Sequence, residues 1–541
     1  MLRNFVIFFV TFLLMSAFAI FSTFTAELTD VFQLKNKNIS ATFTPEGDDL
    51  IMTWSPFPYP TLYKIETLSQ TTGIIKNAPH YHSFLTEEVG ESKYKVPRAP
   101  IQTFYKISAQ GFFGEIFSST KLIQNPNFPY PTKPVTIFHY TEKNPASLMP
   151  FLVWHTVPRA VCYEVEILSS PPEIEGGTSL SQFYSLESTR KIYTNGYQAD
   201  LRPYRNYDSV YWRVRALDLH LNPVGEFCKA EKIYLDALKS APDCPLINNF
   251  DFMDYVPLPI YPVYSWIPLH DGFKYEVELL THPPKVENNV EPSSDSVWRQ
   301  TTLDKSSCYD EYPRPYAGPY YWRVRALDEE DNPIGTWSNT EKFVVPDYGK
   351  GFFAAIFGDS ISHGGGAVSY SPRSLEYSYA TYIDFPVINL SRSGDTSHMT
   401  LERFDKDVLQ FKPKNLIIFT GTNSLRDTTI SAESIIDDLR EIGRRCNLNS
   451  IRPIYLTLMP INPENIQYAF HTPTDPAWHE KLNQVNAFIK RQEFFIDLEP
   501  YFYDSFGKMD ENFSVDGLHP DLRGKMLMGE IINQHKNLFK D

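Results

Sequence analysis

Two short segments, far apart in the chain, carry residue types that can act together as a nucleophile and its base. Ser360 ends the sequence Gly-Asp-Ser after the apolar run FFAAIF, and a serine hydroxyl becomes a nucleophile once a base takes its proton. Asp516 and His519 stand three residues apart in SVDGLHP, where a carboxylate can hold an imidazole in one tautomer. Each segment alone is weak evidence, because both can be a turn or a helix cap. Together they predict Ser360 as nucleophile, His519 as general base and Asp516 as its orienting acid.

Two further residues supply hydrogen-bond donors of the kind that such a nucleophile needs. Gly394 lies in NLSRSGDTS and Asn423 in FTGTNS, and each follows an apolar run. Attack on a carbonyl produces an oxyanion that requires two or three fixed donors. The predicted oxyanion hole therefore consists of the backbone N–H groups of Ser360 and Gly394 and the side-chain amide of Asn423.

The elements that position these residues follow from the hydrophobic pattern after Phe352. Short apolar runs alternate with amphipathic stretches that begin at Ser431 and Pro476, a pattern typical of a parallel α/β sheet. Open α/β sheets bind ligands at the carboxyl ends of their strands, which is where Ser360 falls. The predicted strands are FFAAIF, PVINL, NLIIFT, RPIYLTLMP and EFFIDL.

In this order, GDS at Gly358, Gly394, GTN ending at Asn423 and DGLHP from Asp516 resemble the four sequence blocks of the SGNH, or GDSL, hydrolase family. The resemblance covers about residues 352 to 536 and implies a flavodoxin-like α/β/α domain, which we predict over 350–541. It implies the same roles for the serine, histidine and aspartate, and no metal or organic cofactor. The tract SHGGGAVSYSPRS departs from the family pattern, and we expect His363 and three glycines to form a longer, flexible rim of the acyl pocket.

The remaining histidines and the five cysteines do not predict a metal centre. No histidine pair has a helix-face spacing beside an acidic residue. Cysteine pairing within two modules and buried free thiols both fit the positions Cys162 with Cys228 and Cys244 with Cys308. Cys446 lies in a helical stretch and is predicted to be a core residue.

The N-terminal two thirds of the chain contain an internal repeat. SVYWRVRALDLHLNPVGEF from Ser209 recurs as PYYWRVRALDEEDNPIGTW from Pro319, and FYKISAQGFFGEIFSS from Phe104 is a weaker copy. In each copy a tryptophan strand precedes a tyrosine strand, and polar and apolar residues alternate as in half-buried β-strands. These modules resemble fibronectin type III domains, which are immunoglobulin-like all-β sandwiches, and we predict them over 27–125, 133–237 and 241–347. The alternation also predicts a solvated outward face for Arg213, Arg215, Arg323 and Arg325.

Charge and the N-terminal segment bear on partners and location. A net charge of −15 opposes binding to nucleic acid or to anionic lipid, because both need a basic surface. Residues 1–26 read as a signal peptide or an uncleaved N-terminal anchor, so we expect a secreted or cell-envelope protein. Membrane contact is then expected only through an uncleaved N-terminal segment, and no feature specifies an oligomeric state.

These observations predict an exported serine esterase that forms an acyl-enzyme and needs no cofactor. The expected partner is an ester substrate, an acylated polysaccharide with O-acyl groups such as acetyl, and the modules act as spacers or weak binders. Within enzymes, the alternative is a lipase or arylesterase on lipid or small esters, and transfer of the acyl group to a sugar hydroxyl uses the same intermediate. From another class, the alternative is a surface adhesion protein with an inactive hydrolase domain.

Overall fold

The computed structural model describes residues 39, 41–46, 49–56, 62–71, 80–96, 103–111, 116–120, 123–124, 132–249, 259–367 and 370–540. The predicted export segment, residues 1–26, lies outside the described residues. The chain divides into two compact units, Met1–Gln70 with Ser83–Phe128 and Thr71–His82 with Pro129–Asp541. Within the described ranges, no helix has the length and apolar character that a membrane span requires.

The first unit contains a three-stranded antiparallel sheet, β1-β2-β5, and a second sheet in which β4, β3, β6 and β7 follow in order and β8 also pairs with β6. Trp54 and Tyr63 meet edge to face in its core, with ring centroids 5.2 Å apart. The strands are β1 (Ala41–Glu46), β2 (Asp49–Trp54), β3 (Leu62–Thr71), β4 (His80–Val89), β5 (Lys93–Lys95), β6 (Thr103–Gln110), β7 (Ile116–Ser119) and β8 (Ile123–Gln124).

The second module opens the other unit and again has one small and one larger antiparallel sheet, β12-β9 and β11-β10-β13-β14. Its core contains Trp154 and Tyr163, whose ring centroids are also 5.2 Å apart. The strands are β9 (Phe151–Val153), β10 (Cys162–Leu168), β11 (Ser185–Ile192), β12 (Gly196–Gln198), β13 (Ser209–Leu217) and β14 (Glu231–Tyr234).

The third module repeats the arrangement with sheets β15-β16-β19 and β18-β17-β20-β21, and β22 pairs with β20. Trp266 and Tyr275 lie 5.3 Å apart between ring centroids. The strands are β15 (Leu246–Ile247), β16 (Val263–Ile267), β17 (Lys274–Leu280), β18 (Ser296–Thr302), β19 (Ser307–Tyr309), β20 (Gly318–Leu327), β21 (Pro333–Ile334) and β22 (Glu341–Val345). The recurring Trp–Tyr contact agrees with the internal repeat and with β-sandwiches. The fibronectin type III assignment and the module boundaries stay predictions.

The prediction of a solvated face for the four arginines was wrong. Arg213 and Arg323 are 1% and 0% exposed, and each pairs with a buried glutamate directly across the sheet. The guanidinium of Arg213 lies 4.2 Å from the ring centre of Phe227, and that of Arg323 lies 4.7 Å from that of Trp337. The loops that carry Phe227 and Trp337 cover the sheet face that the alternation of polar and apolar residues predicts to be exposed. The ion pairs are Arg213–Glu166, Arg215–Glu164, Arg323–Glu278 and Arg325–Glu276.

The C-terminal domain confirms the predicted parallel sheet. Its five strands lie in the order β24-β23-β25-β26-β27, and every neighbouring pair is parallel. The first strand in sequence, β23, lies inside the sheet, with β24 on one side and β25 to β27 on the other, which is the strand order of flavodoxin-like sheets. Because the connections leave β23 towards opposite sides, a crevice forms at its carboxyl end. The strands are β23 (Ala354–Gly358), β24 (Val387–Asn389), β25 (Asn415–Phe419), β26 (Arg452–Leu456) and β27 (Phe495–Ile496).

The helices cover this sheet, and their ends largely follow the local sequence signals. Ser431 caps α5 as predicted, whereas α7 begins at Trp478, two residues after Pro476, because Asp475 and Pro476 form the turn before it. The helices are α1 (Ser360–His363), α2 (Ser397–Glu402), α3 (Phe404–Asp407), α4 (Thr422–Arg426), α5 (Ala432–Leu448), α6 (Pro463–Phe470), α7 (Trp478–Ile489) and α8 (Leu522–Gln534). Single 3-10 turns occur at Arg202–Tyr204, Leu375–Tyr377, Tyr379–Tyr382, Glu499–Tyr501 and Lys536–Leu538.

The second and third modules pack directly against the C-terminal domain. Ile260 and Tyr261 of the third module belong to the domain's own hydrophobic core. Val161 and Leu219 of the second module pack against Ala367. All five cysteines are free thiols, and Cys446 is a buried core residue as predicted. Of the two expected roles, spacer or weak binder, this packing disfavours a pure spacer for the second and third modules, and binding stays a prediction.

Candidate active site

Ser360, His519 and Asp516 form a continuous hydrogen-bonded chain. Ser360 begins α1 at the carboxyl end of β23, where Asp359 caps the helix. Its Oγ lies 3.0 Å from Nε2 of His519, and Nδ1 of the same ring lies 2.9 Å from Oδ2 of Asp516. The structure therefore brings together the three side chains that the two distant motifs predicted, in an order that permits proton transfer from the serine to the imidazole.

Asp516 is held as an anion by its surroundings. Its side chain is fully buried, and Oδ1 accepts hydrogen bonds from the backbone N–H groups of Leu518 and His519, at 2.8 and 2.7 Å, and from the hydroxyl of Ser514. Burial opposes the charge, but the attraction of His519 and these hydrogen bonds keep the pKa of Asp516 below its ordinary value. An ionised Asp516 fixes the proton of the imidazole on Nδ1, so Nε2 is left as the base.

The three predicted oxyanion donors lie in the same cleft as the triad. Gly394 has φ of +86°, a backbone conformation that favours glycine, and both its N–H and that of Ser360 donate to no other group among the described residues. Nδ2 of Asn423 donates one hydrogen to the carbonyl oxygen of Asp395, at 3.0 Å, and carries a second hydrogen. Three donors are thus available in the cleft that Ser360 lines.

Arg403 ties this oxyanion region together and was missed in the sequence. Its buried guanidinium pairs with the carboxylate of Asp395, the residue after Gly394, and donates to the carbonyl oxygens of Gly358 at 3.0 Å and Leu390 at 2.7 Å. The ends of β23 and β24 and the segment that carries Gly394 are therefore fixed to one planar group. No motif marks Arg403, because its partners are distant in sequence.

Two ionisable groups lie buried beneath Ser360. Burial raises the pKa of Asp359 to about 7, and its Oδ2 has no partner among the described residues. Lys525 of α8 is fully buried and donates to the carbonyl oxygen of Ile361 in α1, at 2.6 Å, and burial lowers its pKa to about 7. These two groups hold the short helix that carries Ser360. The sequence marks only Asp359, because it stands at a capping position directly before a helix.

The prediction of a flexible rim after Ser360 was wrong at His363. This ring is 1% exposed, and its Nδ1 and Nε2 lie 2.8 Å from Oγ of Ser393 and from the carbonyl oxygen of Tyr261. Gly366 lies against the ring of Tyr377, where any side chain would clash. His363 and Gly366 are therefore fixed by contacts with the third module and with the core, which the sequence pattern did not contain.

The triad opens into one large cleft, which we name the interdomain cleft. Its volume is about 1030 Å³, at the upper end of the range for small-molecule sites. Its walls come from the second module, the third module and the catalytic domain. The lining residues are 189–194, 197–198, 248, 265, 268–270, 304–307, 309, 360, 364, 366–367, 370–371, 374, 393–394, 423, 426, 470, 472 and 518–519. Within the described part of the chain, no group of three or more His, Cys, Asp and Glu side chains is placed to hold a metal.

Comparison with known proteins places the catalytic domain. Residues 356–527 match the GDSL-like lipase/acylhydrolase family. No curated protein has a significant sequence match to the chain. Among solved structures, it is similar to a lipase/acylhydrolase from Enterococcus faecalis, with 24% identity, TM-score 0.28, and 35% of this chain and 96% of that one covered.

Two further similar structures cover the same part of the chain. A GDSL-like lipase from Bacteroides thetaiotaomicron has 19% identity, TM-score 0.27, and coverage of 34% of this chain and 87% of its own. The acetyl xylan esterase AlAXEase has 17% identity, TM-score 0.26, and coverage of 34% and 98%. By its family match, the segment 356–527 belongs to the GDSL-like lipase/acylhydrolases, and the protein carries a hydrolase domain of the SGNH type.

Proposed function

We propose that the protein is an exported esterase that hydrolyses carboxylic esters through Ser360, His519 and Asp516, and that its substrates are O-acyl groups on carbohydrate. The observation that carries the proposal is the hydrogen-bonded triad, which opens into a cleft beside three free donors. A serine, a base and an oxyanion site in one cleft are the parts that acyl transfer to water requires.

In the first step, Oγ of Ser360 attacks the ester carbonyl while Nε2 of His519 takes the hydroxyl proton. The carbonyl oxygen becomes an oxyanion, which the N–H groups of Ser360 and Gly394 and the amide of Asn423 stabilise. Asp516 stabilises the imidazolium that forms. The imidazolium then gives its proton to the departing alcohol, and the acyl group stays on Ser360.

In the second step, water replaces the alcohol. Nε2 of His519 takes a proton from the water as it attacks the acyl-enzyme, and the same oxyanion donors act again. Collapse of the intermediate returns the proton to Oγ of Ser360 and releases the carboxylic acid. Neither step needs a metal or an organic cofactor. If a sugar hydroxyl took the place of water, the product would be a transferred ester.

The lining of the interdomain cleft supports a carbohydrate substrate over a lipid. Its volume is large and most of its side chains carry hydroxyl or amide groups, which match the hydroxyl groups of a sugar chain. A lipase would need a continuous apolar channel for an acyl chain, whereas the aliphatic, proline and phenylalanine side chains of the lining are outnumbered by those with hydroxyl or amide groups. These apolar side chains are Ile192, Pro268, Leu269, Ala367, Phe470 and Leu518. The lining residues with a hydroxyl or amide group are Thr189, Tyr193, Thr194, Tyr197, Gln198, Asn248, Ser265, Ser306, Ser307, Tyr309, Ser360, Tyr370, Ser371, Ser374, Ser393, Asn423 and Thr472.

The expectation of export rests on sequence alone. The apolar segment 1–26 supports export, either as a cleaved signal peptide or as an anchor. An inactive adhesion protein is disfavoured, because selection for binding alone would not keep a nucleophile, a base and an ionised acid in hydrogen-bonding order.

The proposal is tested by the release of acetate from acetylated xylo-oligosaccharides and from p-nitrophenyl acetate. The wild-type protein should act on both esters, and Ser360→Ala should reduce both rates to background. Ser505→Ala, at an exposed position of the same domain outside the cleft, leaves the triad intact and provides the control. Equal, negligible rates for wild type and Ser360→Ala would refute the esterase proposal. Activity on the small ester alone would refute the carbohydrate assignment.

A further inference from the structure

The interdomain cleft is built by three parts of the chain that contact one another directly. Gln198 of the second module accepts a hydrogen bond from the backbone N–H of His270 in the third, at 2.9 Å. Tyr370 of the catalytic domain donates to the carbonyl oxygen of Val157 in the second module, at 2.6 Å. The walls that the two modules contribute are therefore fixed relative to Ser360, as a binding site requires.

The charge of this cleft is opposite to that of the whole protein. The chain has a net charge of −15, yet the cleft is lined by four cationic side chains, Arg190, Lys191, Lys305 and Arg426, and one carboxylate, Asp304. The Asp304 carboxylate is engaged within its own loop, where it accepts hydrogen bonds from the backbone N–H and hydroxyl groups that follow it. Cations concentrated on an acidic protein mark a surface suited to an anionic ligand.

Arg426 is the cation that lies on the catalytic domain, three residues after Asn423 in α4. Its Nη2 donates to the hydroxyl of Thr472, at 2.8 Å, while its buried Nε has no partner, and no carboxylate pairs with it among the described residues. A half-buried guanidinium with no carboxylate in direct contact is costly, and its planar donors match a carboxylate. Burial lowers the pKa of Arg426, while the more distant charge of Asp516 opposes this shift.

The two sandwich modules contribute the other free cations and a ring. Lys191 of the second module and Lys305 of the third form no ion pair among the described residues, whereas Arg190 is paired with Glu164. Tyr193, next to Lys191 in the chain, is 42% exposed and offers an aromatic face on which a sugar ring can pack. The two sandwich modules therefore contribute both free cations and an exposed aromatic ring to the lining of the cleft.

We propose that the interdomain cleft binds an anionic saccharide chain, in which Arg426 holds an acid group near the ester under attack and Lys191 and Lys305 contact further acid groups. The modules are then part of the substrate site and determine its specificity. This inference rests on the proposed esterase function for its catalytic consequence, but binding of the chain can be measured without catalysis.

Two matched acetylated probes test the preference of the cleft for an anionic saccharide chain. The value of kcat/KM should be roughly tenfold or more higher for acetylated oligogalacturonides than for acetylated xylo-oligosaccharides of equal length, since charge-assisted hydrogen bonds add to binding. The ratio of the two values should fall towards one in about 0.5 M NaCl, because salt screens the charges. Arg426→Gln, Lys191→Glu and Lys305→Glu should each lower this ratio severalfold. Lys229→Glu and Lys285→Glu make the same charge change on exposed residues of the same two modules outside the cleft, and should leave the ratio unchanged.

Calorimetric binding separates this inference from the proposed function. Unacetylated oligogalacturonide should bind to the Ser360→Ala variant. Its affinity should be lower for the double variant that also carries Arg426→Gln, and unchanged for the double variant that also carries Lys229→Glu. Thermal unfolding of each variant checks that it folds. If both probes are hydrolysed with equal kcat/KM and the acidic probe does not bind, the inference is wrong and the esterase proposal stands. If no ester is hydrolysed but the acidic probe binds through Arg426, the esterase proposal fails and the binding site remains.

Discussion

The phenol of Tyr261 in the third module donates a hydrogen bond of 2.7 Å to Oδ2 of Asp407 in the catalytic domain. The same oxygen accepts a hydrogen bond of 2.7 Å from Arg403, whose guanidinium also holds the end of the strand that leads to Ser360. The backbone oxygen of Tyr261 lies 2.8 Å from Nε2 of His363. One residue of a sandwich module thus contacts both the partner carboxylate of Arg403 and the last residue of the helix that carries Ser360.

Tyr261→Phe should weaken the protein without removing the ring. The buried carboxylate of Asp407 would lose a donor, and its Oδ1 already has no partner among the described residues, so we expect a loss of about 1 to 3 kcal/mol in the free energy of unfolding. Denaturant unfolding measures this loss, and kcat should fall with it because Arg403 shifts. Tyr316→Phe in the same module removes an exposed hydroxyl and serves as the control. Equal stability of the two variants would contradict the coupling between module and site.

Asn423→Ala should lower kcat roughly a hundredfold or more and change KM little. The amide is expected to act on the oxyanion, which exists only after attack on the ester, so its loss affects the transition state more than substrate binding. Steady-state kinetics on p-nitrophenyl acetate provide the measurement. Asn447→Ala, on the exposed face of α5, should behave as wild type. A variant with raised KM and unchanged kcat would instead assign Asn423 to substrate binding.

Asp359 should make the protein less stable as the pH rises. Burial raises the pKa of this carboxyl from its ordinary 3.8 to about 7, so between these values the folded chain holds a proton that the unfolded chain has lost. The stability cost grows across this window and is complete above about pH 7. Asp359→Asn carries no charge, so its stability relative to wild type should increase from pH 5 to pH 8, by on the order of 1 to 4 kcal/mol.

Unfolding curves at several pH values measure this difference. Asp271→Asn, at an exposed position of the third module, is the matched control and should follow the wild-type pH profile. A constant difference between Asp359→Asn and wild type over this range would mean that Asp359 stays ionised in the folded protein.

The predictable part of the site is the part built from local sequence. Ser360 and Asn423 each follow a continuous apolar strand, and Asp516 and His519 share one loop, so short motifs and the topology of a parallel sheet suffice to bring them together. Arg403 could not be predicted in this way. It acts through carbonyl groups at the ends of two other strands, and only the folded sheet makes them neighbours.

The sandwich modules show the same limit. Alternation correctly predicted which residues of β13 lie on the Trp154 side, but it does not say what covers the other face. Arg213 is buried because the chain folds back over it, and its guanidinium donates to the backbone oxygens of Ile174 and Ser179. The docking of Tyr261 onto the catalytic domain likewise depends on contacts between distant segments, and no pattern within either segment contains that information.

Labelling with a fluorophosphonate tests the central claim most directly, because such a reagent bonds covalently to a serine that a neighbouring base has activated. Mass spectrometry of the wild-type protein should find one adduct, on the peptide that contains Ser360. Labelling should slow by about three orders of magnitude in His519→Gln, which lacks the base but keeps a side chain of similar size. An unlabelled Ser360, or an adduct that forms equally fast without His519, would contradict the proposed triad.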